Sequence, residues 1–163
     1  MSAMELQDIK QAIARFANSV TVVTTAHEGR RYGFMSTAVA CIAFDTPAFL
    51  ITVNRSGSSR DPIDRSRVFA VNLLRDDQRE IADRFAGFGG HKGDDRFQGA
   101  TWTSLTTGAP VLPDVLAAFD CRVTESKEFG SQTLFFGEIV DAASGAESAM
   151  PLVYSNRRYV GIT

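Results

Sequence analysis

Histidine and cysteine are scarce, at two residues each in a chain of 163. His27 and His91 lie too far apart for an H-E-x-x-H helix, and Cys41 and Cys121 form no C-x-x-C or other metal-type spacing. A G-x-S-x-G elbow, a P-loop and a G-x-G-x-x-G following a strand are also missing, so hydrolytic and metal-assisted chemistry lack their usual residue patterns. There is little excess charge. Seventeen Lys and Arg against 19 Asp and Glu leave a net charge of −2, whereas binding a phosphate backbone needs a basic face, so no nucleic acid partner is expected. No apolar run approaches the roughly 20 residues that cross a bilayer, and the opening MSAMELQDIK has no apolar h-region. The chain is therefore expected to be soluble, cytoplasmic and without a membrane partner. Both cysteines sit in apolar or alternating contexts, which predicts buried free thiols in a reducing compartment. An enzyme this poor in acid–base and nucleophilic groups would leave its chemistry to a bound cofactor.

What is present centres on Tyr32 to Asp61, YGFMSTAVACIAFDTPAFLITVNRSGSSRD. Two apolar runs, 38–44 and 48–53, flank Asp45-Thr46-Pro47, where proline presets a turn between two strands. At both ends the apolar run gives way to small and hydroxylated residues: Gly33, Ser36 and Thr37 before it, Ser56, Gly57, Ser58 and Ser59 after it. Such residues let a flat ligand approach the backbone and hydrogen-bond its polar edge. Ser58-Ser59-Arg60-Asp61 has the S-x-x-D spacing of a helix start, where free amides favour a phosphate, and Arg55 and Arg60 add charge. An ordinary serine-rich surface turn would use the same residues.

The length predicts one domain, 1–163. Leu6, Ile9, Ile13 and Phe16 predict an amphipathic helix over 5–17 packed on a sheet. A first strand is expected at 20–26, a short helix at 60–64 and a buried strand at 68–74. Asp77 with Glu80 suggests the cap of a helix bearing Ile81, Ala82, Phe85 and Phe88 and stopped by Gly87. Residues 87–99, with five glycines, read as a mobile loop anchored by Arg96 and Phe97, able to fold over a nucleotide and offer it His91 or Lys92. Strands at 118–123 and 133–140 would be joined by a turn over 128–132, and a hairpin of 151–154 with 158–162 would close the sheet. The whole predicts a mostly β protein, a closed or nearly closed antiparallel barrel with helices packed outside.

Phe16 to Thr25 (FANSVTVVTT), Gly33 to Pro47 (GFMSTAVACIAFDTP), Val68 to Leu74 with Gln78, the Phe85-Ala86 and Asp95-Arg96-Phe97 pairings, Cys121 onward and the ending PLVYSNRRY occur in a characteristic order. Together they resemble the short-chain flavin reductases, and more narrowly the reductase components of two-component aromatic hydroxylases such as 4-hydroxyphenylacetate 3-monooxygenase. The resemblance implies a split antiparallel β-barrel of the FMN-binding, Greek-key type and a homodimer. It also implies FMN or FAD reduced by NADH or NADPH and passed to a partner oxygenase. By position, Thr37, Ala38 and Val39 would line the flavin ring, with Met35 and Ser36. Asn54, Arg55, Ser56 and Ser59 would hold the ribityl chain and phosphate, and Phe85 and Ala86 would flank the site. Where many relatives carry Gly-Asp-His at the nicotinamide, this chain has Gly130-Ser131-Gln132, and Gln132 either meets the nicotinamide or merely caps a turn. A flavin-retaining oxidase of the same barrel type and a non-catalytic flavin-binding module share this pattern.

Overall fold

The computed structural model describes residues 3–162; residues 1, 2 and 163 of the expected 1–163 domain lie outside it. Helix α1, Ala3–Ile13, ends earlier than its periodicity predicts, because the chain then tightens into i→i+3 bonds from Arg15 N–H to Ala12 O and Phe16 N–H to Ile13 O, both 3.1 Å. Among the described residues the expected packing of this helix on a sheet is not found. Leu6, Ile9, Ile13 and Phe16 remain 46%, 41%, 60% and 67% exposed, an apolar stripe facing outward.

After a short β1, Asn18–Ser19, the main sheet contains β2 (Thr21–His27), β3 (Arg30–Ser36), β4 (Val39–Ala43), β5 (Ala48–Asn54), β6 (Val68–Leu73), β9 (Ala117–Phe129) and β10 (Gln132–Ser144). Between β6 and β9 come two short strands, β7 (Thr103–Ser104) and β8 (Pro110–Val111). The seven strands pair antiparallel in the order β3-β2-β6-β9-β10-β5-β4. The two edges, β3 and β4, are joined only by Thr37 and Ala38. Flat, seven strands would hold their edges about 29 Å apart, whereas the three Cα steps from Ser36 to Val39 reach about 11 Å at most. The sheet therefore curls until its edges approach at that link. Helix α2, Arg60–Ser66, and helix α3, Arg79–Ala86, lie between strands in sequence; Ile63 of α2 joins the cluster of Val23, Ile51 and Phe69, and Ala82 and Phe85 of α3 join that of Val22 and Leu74.

Several expectations need correction. β3 was not anticipated, because Arg30, Arg31 and Gly33 hide its alternation. β9 and β10 run 13 residues each and turn over Gly130-Ser131 alone; the exposed, mostly polar second half of β9, residues 124–129, is held by cross-strand pairing with β10. The C-terminal hairpin, β11 (Val153–Ser155) with β12 (Arg158–Val160), does not close the main sheet but forms a separate one with β1. Asp77 does not cap α3. It pairs with Arg75, and the N-cap is Gln78, whose Oε1 accepts the Arg75 N–H at 2.9 Å. Cys41 is exposed, while Cys121 is buried. Gly87 does end α3, at φ 85°.

Both faces of β2 are covered. Val23 joins Ile51, Val53, Phe69, Val71 and Phe135 inside the curl, and Val22 joins Leu74, Phe85, Phe97 and Leu112 beneath α3. Two glycines are required by close approach: a Cβ at Gly137 would lie 2.5 Å from the Phe69 ring, and one at Gly33 would lie 2.7 Å from Phe85 Cε1.

Candidate functional site

Where β3 faces the end of β5 there is a cavity of about 180 Å³. Phe34 and Val53 form its apolar floor, and Asn54 with Gly57, Ser58 and Ser59 its polar wall. The wall is a built turn: Asn54 Oδ1 accepts from the Ser56 N–H at 3.0 Å and from Ser56 Oγ at 2.8 Å, and Gly57 N–H donates to Asn54 O at 2.9 Å. Ser59 is the N-cap of α2 and is only 4% exposed, yet its hydroxyl caps no amide. This departs from the expected S-x-x-D cap. The Ser59 hydroxyl and the amides of Ser58 and Ser59 have no partner among the described residues, so the cavity wall carries unspent donors.

The charge comes from a residue that the sequence suggested only as a loop anchor. Arg55 and Arg60 are largely neutralised: Arg55 pairs with Glu128 at 2.8 Å, and Arg60 pairs with Asp61 and Glu128, both at 2.9 Å. Arg96 lines the cavity instead. Its Nη1 donates to Gly33 O at 2.9 Å and its Nε to His91 O at 3.2 Å, and it has no carboxylate partner among the described residues. Burial lowers its pKa from the usual guanidinium value, the mark of a desolvated charge. Hydroxyls, free amides and such a guanidinium together suit a phosphate.

The glycine-rich segment is more constrained than its composition suggests. Two 3₁₀ turns, Phe88–Gly90 and Gly93–Phe97, are fastened by Arg31 to Asp94 (2.7 and 2.9 Å), His91 Nδ1 to Asp95 (2.8 Å) and Arg84 to the Asp95 carbonyl (2.7 Å). The His91 ring is thus engaged within the loop, and Lys92 is exposed. Neither lines the cavity.

Thr37 and Val39 line a second cavity, of about 340 Å³, with Phe49, Leu73 and Phe119 among its apolar walls. Phe49 and Val53 are four residues apart on β5, about 13 Å, so the two cavities lie toward opposite ends of that strand. In the link between edges, Ala38 N–H donates to Ser36 Oγ at 3.1 Å, and Thr21 Oγ1 donates to Ser36 O at 2.8 Å. Met35 packs against the core, Phe85 is buried edge-on to Phe97, and Ala86 ends α3. Gln132 is the register partner of Asn54, and its amide donates to Ser131 Oγ at 3.3 Å. The structure therefore brings Asn54 and Ser59 together and adds Arg96 and Phe34, while Thr37 and Val39 belong to the other cavity.

Residues 13–163 match the flavin reductase-like domain. An FMN reductase (NADH) RutF of Pantoea ananatis is 34% identical over 158 residues, covering 97% of this chain and 82% of that protein. Among solved structures, a putative flavin reductase from Haemophilus somnus superposes with a TM-score of 0.89 at 32% identity, over 99% of this chain and 100% of that one. A homolog of nitrilotriacetate monooxygenase component B from Mycobacterium thermoresistibile gives 0.89 at 28% identity, over 99% and 88%.

Proposed function

This chain belongs to the flavin reductase-like family, and from that membership we propose that it is an NADH-dependent FMN reductase. The carrying observation is the cavity in which the Ser59 hydroxyl and amides, unpartnered among the described residues, share a lining with Arg96, which has no carboxylate partner among those residues. Its volume of about 180 Å³ suits a phosphate and the adjoining ribityl carbons, with the ring system outside it. The residues present fit a flavin mononucleotide: Ser58, Ser59 and Arg96 would hold the phosphate, and Asn54 the ribityl hydroxyls. Met35, Ser36, Thr37, Ala38 and Val39 are the proposed ring contacts, with Phe85 and Ala86 behind the β3 edge, on the strength of the family resemblance. Arg55 and Ser56 then act by shaping the loop.

Bound flavin supplies the hydride acceptor. The protein's share is positioning, which needs no side-chain acid or base, in keeping with the sparse histidines. The names of the relatives, FMN reductase (NADH), support FMN over FAD and NADH over NADPH. Delivery of reduced flavin to a partner oxygenase is supported by the likeness to a monooxygenase component B. A homodimer is supported by the outward apolar stripe of α1, together with exposed Ile42 and Phe44, which a second copy would cover. The curled sheet supports a split barrel within one domain. The unpaired cysteines support a reducing, cytoplasmic setting, and among the described residues no helix is long and apolar enough to cross a membrane.

Incubating the protein with NADH and excess FMN tests the reading. Steady turnover of free flavin is the expected result; flavin that stays bound would indicate an oxidase, and no NADH oxidation a binding module.

A further inference from the structure

Arg96 follows Asp94 and Asp95 in sequence, yet pairs with neither. Asp94 is held by Arg31, at 2.7 and 2.9 Å, and Asp95 by His91 Nδ1, at 2.8 Å. A third carboxylate, Glu80, lines a small cavity of about 50 Å³ together with Arg84, Arg96 and Trp102. Arg96 therefore borders two spaces, the one with Ser59 on its wall and this smaller one with a carboxylate in its lining. Its guanidinium bonds the carbonyls of Gly33 and His91 instead.

The restraint comes from Arg84, in the last turn of α3, a helix seated by buried Ala82 and Phe85. Arg84 Nη2 donates to Asp95 O at 2.7 Å, and its Nε donates to Arg96 O at 3.4 Å. Those carbonyls belong to the two peptide groups that flank the Arg96 Cα. Each group is planar, so holding both orients the Cα–Cβ bond between them. Arg84 Nη1 also meets His91 Nε2 at 3.4 Å. A guanidinium only donates, so His91 Nε2 accepts, and its Nδ1 carries the proton that goes to the Asp95 carboxylate. One side chain thus governs both where Arg96 points and what Asp95 is paired with. Arg84 does not itself line the cavity of Ser59.

We infer that Arg84 is a positioning residue for the flavin phosphate. It keeps the Arg96 charge turned toward the cavity of Ser59 and away from Asp95 and Glu80. This rests on the flavin reductase reading above, and on Arg96 as the phosphate's cation.

The test is fluorescence titration of FMN and riboflavin against Arg84→Met, Arg96→Gln and the double variant. Arg84→Met keeps the side chain's length without its donors; FMN affinity should fall about tenfold, the lower end of what a hydrogen bond to a charged group is worth. Riboflavin, lacking the phosphate, should bind as before. In the Arg96→Gln background the same substitution should weaken FMN no further, because residues that act through one another are not additive. Additive losses would mean that Arg84 acts by its own charge, and overturn the inference. So would faster protease nicking between Phe88 and Gly93 with the preference for FMN over riboflavin intact, which would make Arg84 a loop fastener only. If Arg84→Met melts below the assay temperature, Arg84→Lys carries the test: one ammonium cannot span three acceptors that the guanidinium reaches with three nitrogens. Arg84→Lys should still weaken FMN relative to riboflavin, and an unchanged preference there overturns the inference. If wild-type protein does not prefer FMN over riboflavin, the phosphate placement fails and the inference with it. A preference that Arg96→Gln abolishes and Arg84→Met leaves intact removes the inference alone.

Discussion

Replacing Arg96 by glutamine removes a positive charge while keeping a side-chain donor. In the folded protein the Arg96 guanidinium spends two bonds on carbonyls, at 2.9 and 3.2 Å, and none on a carboxylate, so its charge is available to an incoming anion. A hydrogen bond to a charged group contributes about 1.5–3 kcal/mol, which at about 1.4 kcal/mol per decade corresponds to roughly 10- to 150-fold in FMN affinity. Riboflavin lacks the phosphate and should lose little. The assay is fluorescence titration of both flavins at two salt concentrations, after thermal melts have shown that the variant folds. FMN affinity of the wild type should fall with salt more steeply than that of Arg96→Gln. Arg55→Gln is the companion variant: Glu128 already neutralises Arg55, so its FMN affinity should change about threefold at most. Equal losses for FMN and riboflavin in Arg96→Gln, or no loss for either, would refute the placement of the phosphate against Arg96.

Ser59→Ala should weaken FMN by about 1 kcal/mol and leave riboflavin nearly unaffected in the same titration. Gly137→Ala places a methyl 2.5 Å from the Phe69 ring and should destabilise the fold by about 1–3 kcal/mol, read in urea melts with or without flavin. Ile9→Glu with Ile13→Glu puts charge on the apolar stripe of α1; sedimentation at micromolar concentration should show a wild-type dimer and a variant monomer, and a monomeric wild type would remove the dimer proposal. Asp94→Asn releases Arg31 and should speed protease nicking between Phe88 and Gly93 while costing under about 1 kcal/mol of global stability, since the pair is exposed.

Elements with a clear period were legible in the sequence: β2, β5 and β6 fall within a residue of their expected bounds, and Gly87 ends α3 as read. What escaped was whatever depends on partners distant in the chain. β3 is specified by pairing with β2 and by Phe85 seated over Gly33, neither visible in RRYGFMS. The amphipathic stripe of α1 was read correctly, but a period cannot say whether its cover comes from the same chain. Ser59 belongs to the hydroxyl-rich stretch after a strand, a local signal, whereas Asn54 came only from the family resemblance; the structure sets both on the wall of one cavity. Arg96 was named for anchoring, and its arrival in the cavity follows from the tertiary bonds to Gly33 and His91. Charge was misjudged for the same reason: Arg55 and Arg60 look free in sequence, and Glu128, which engages both, lies 68 positions beyond Arg60.

The two walls of the cavity lined by Phe34 and Asn54, β3 and β5, belong to consecutive hairpins placed at opposite ends of the sheet order. Apart from the covalent link at Thr37-Ala38, the β2–β3 hairpin is tied to β4–β5 within the sheet through the hydrogen-bonded strands β6, β9 and β10, the last of which ends at Ser144. During synthesis both hairpins emerge well before the strands that set them across from each other. On the proposed placement of FMN, a ribosome-bound chain lacking β10 would not yet form the cavity, so FMN would bind only the nearly finished protein and stabilise it there by mass action. The late step is then the docking of β9–β10 against β5, a pairing of high sequence separation and correspondingly slow. Until it happens, Val53, Phe69 and Phe135 lie uncovered, and aggregation competes with folding in that interval.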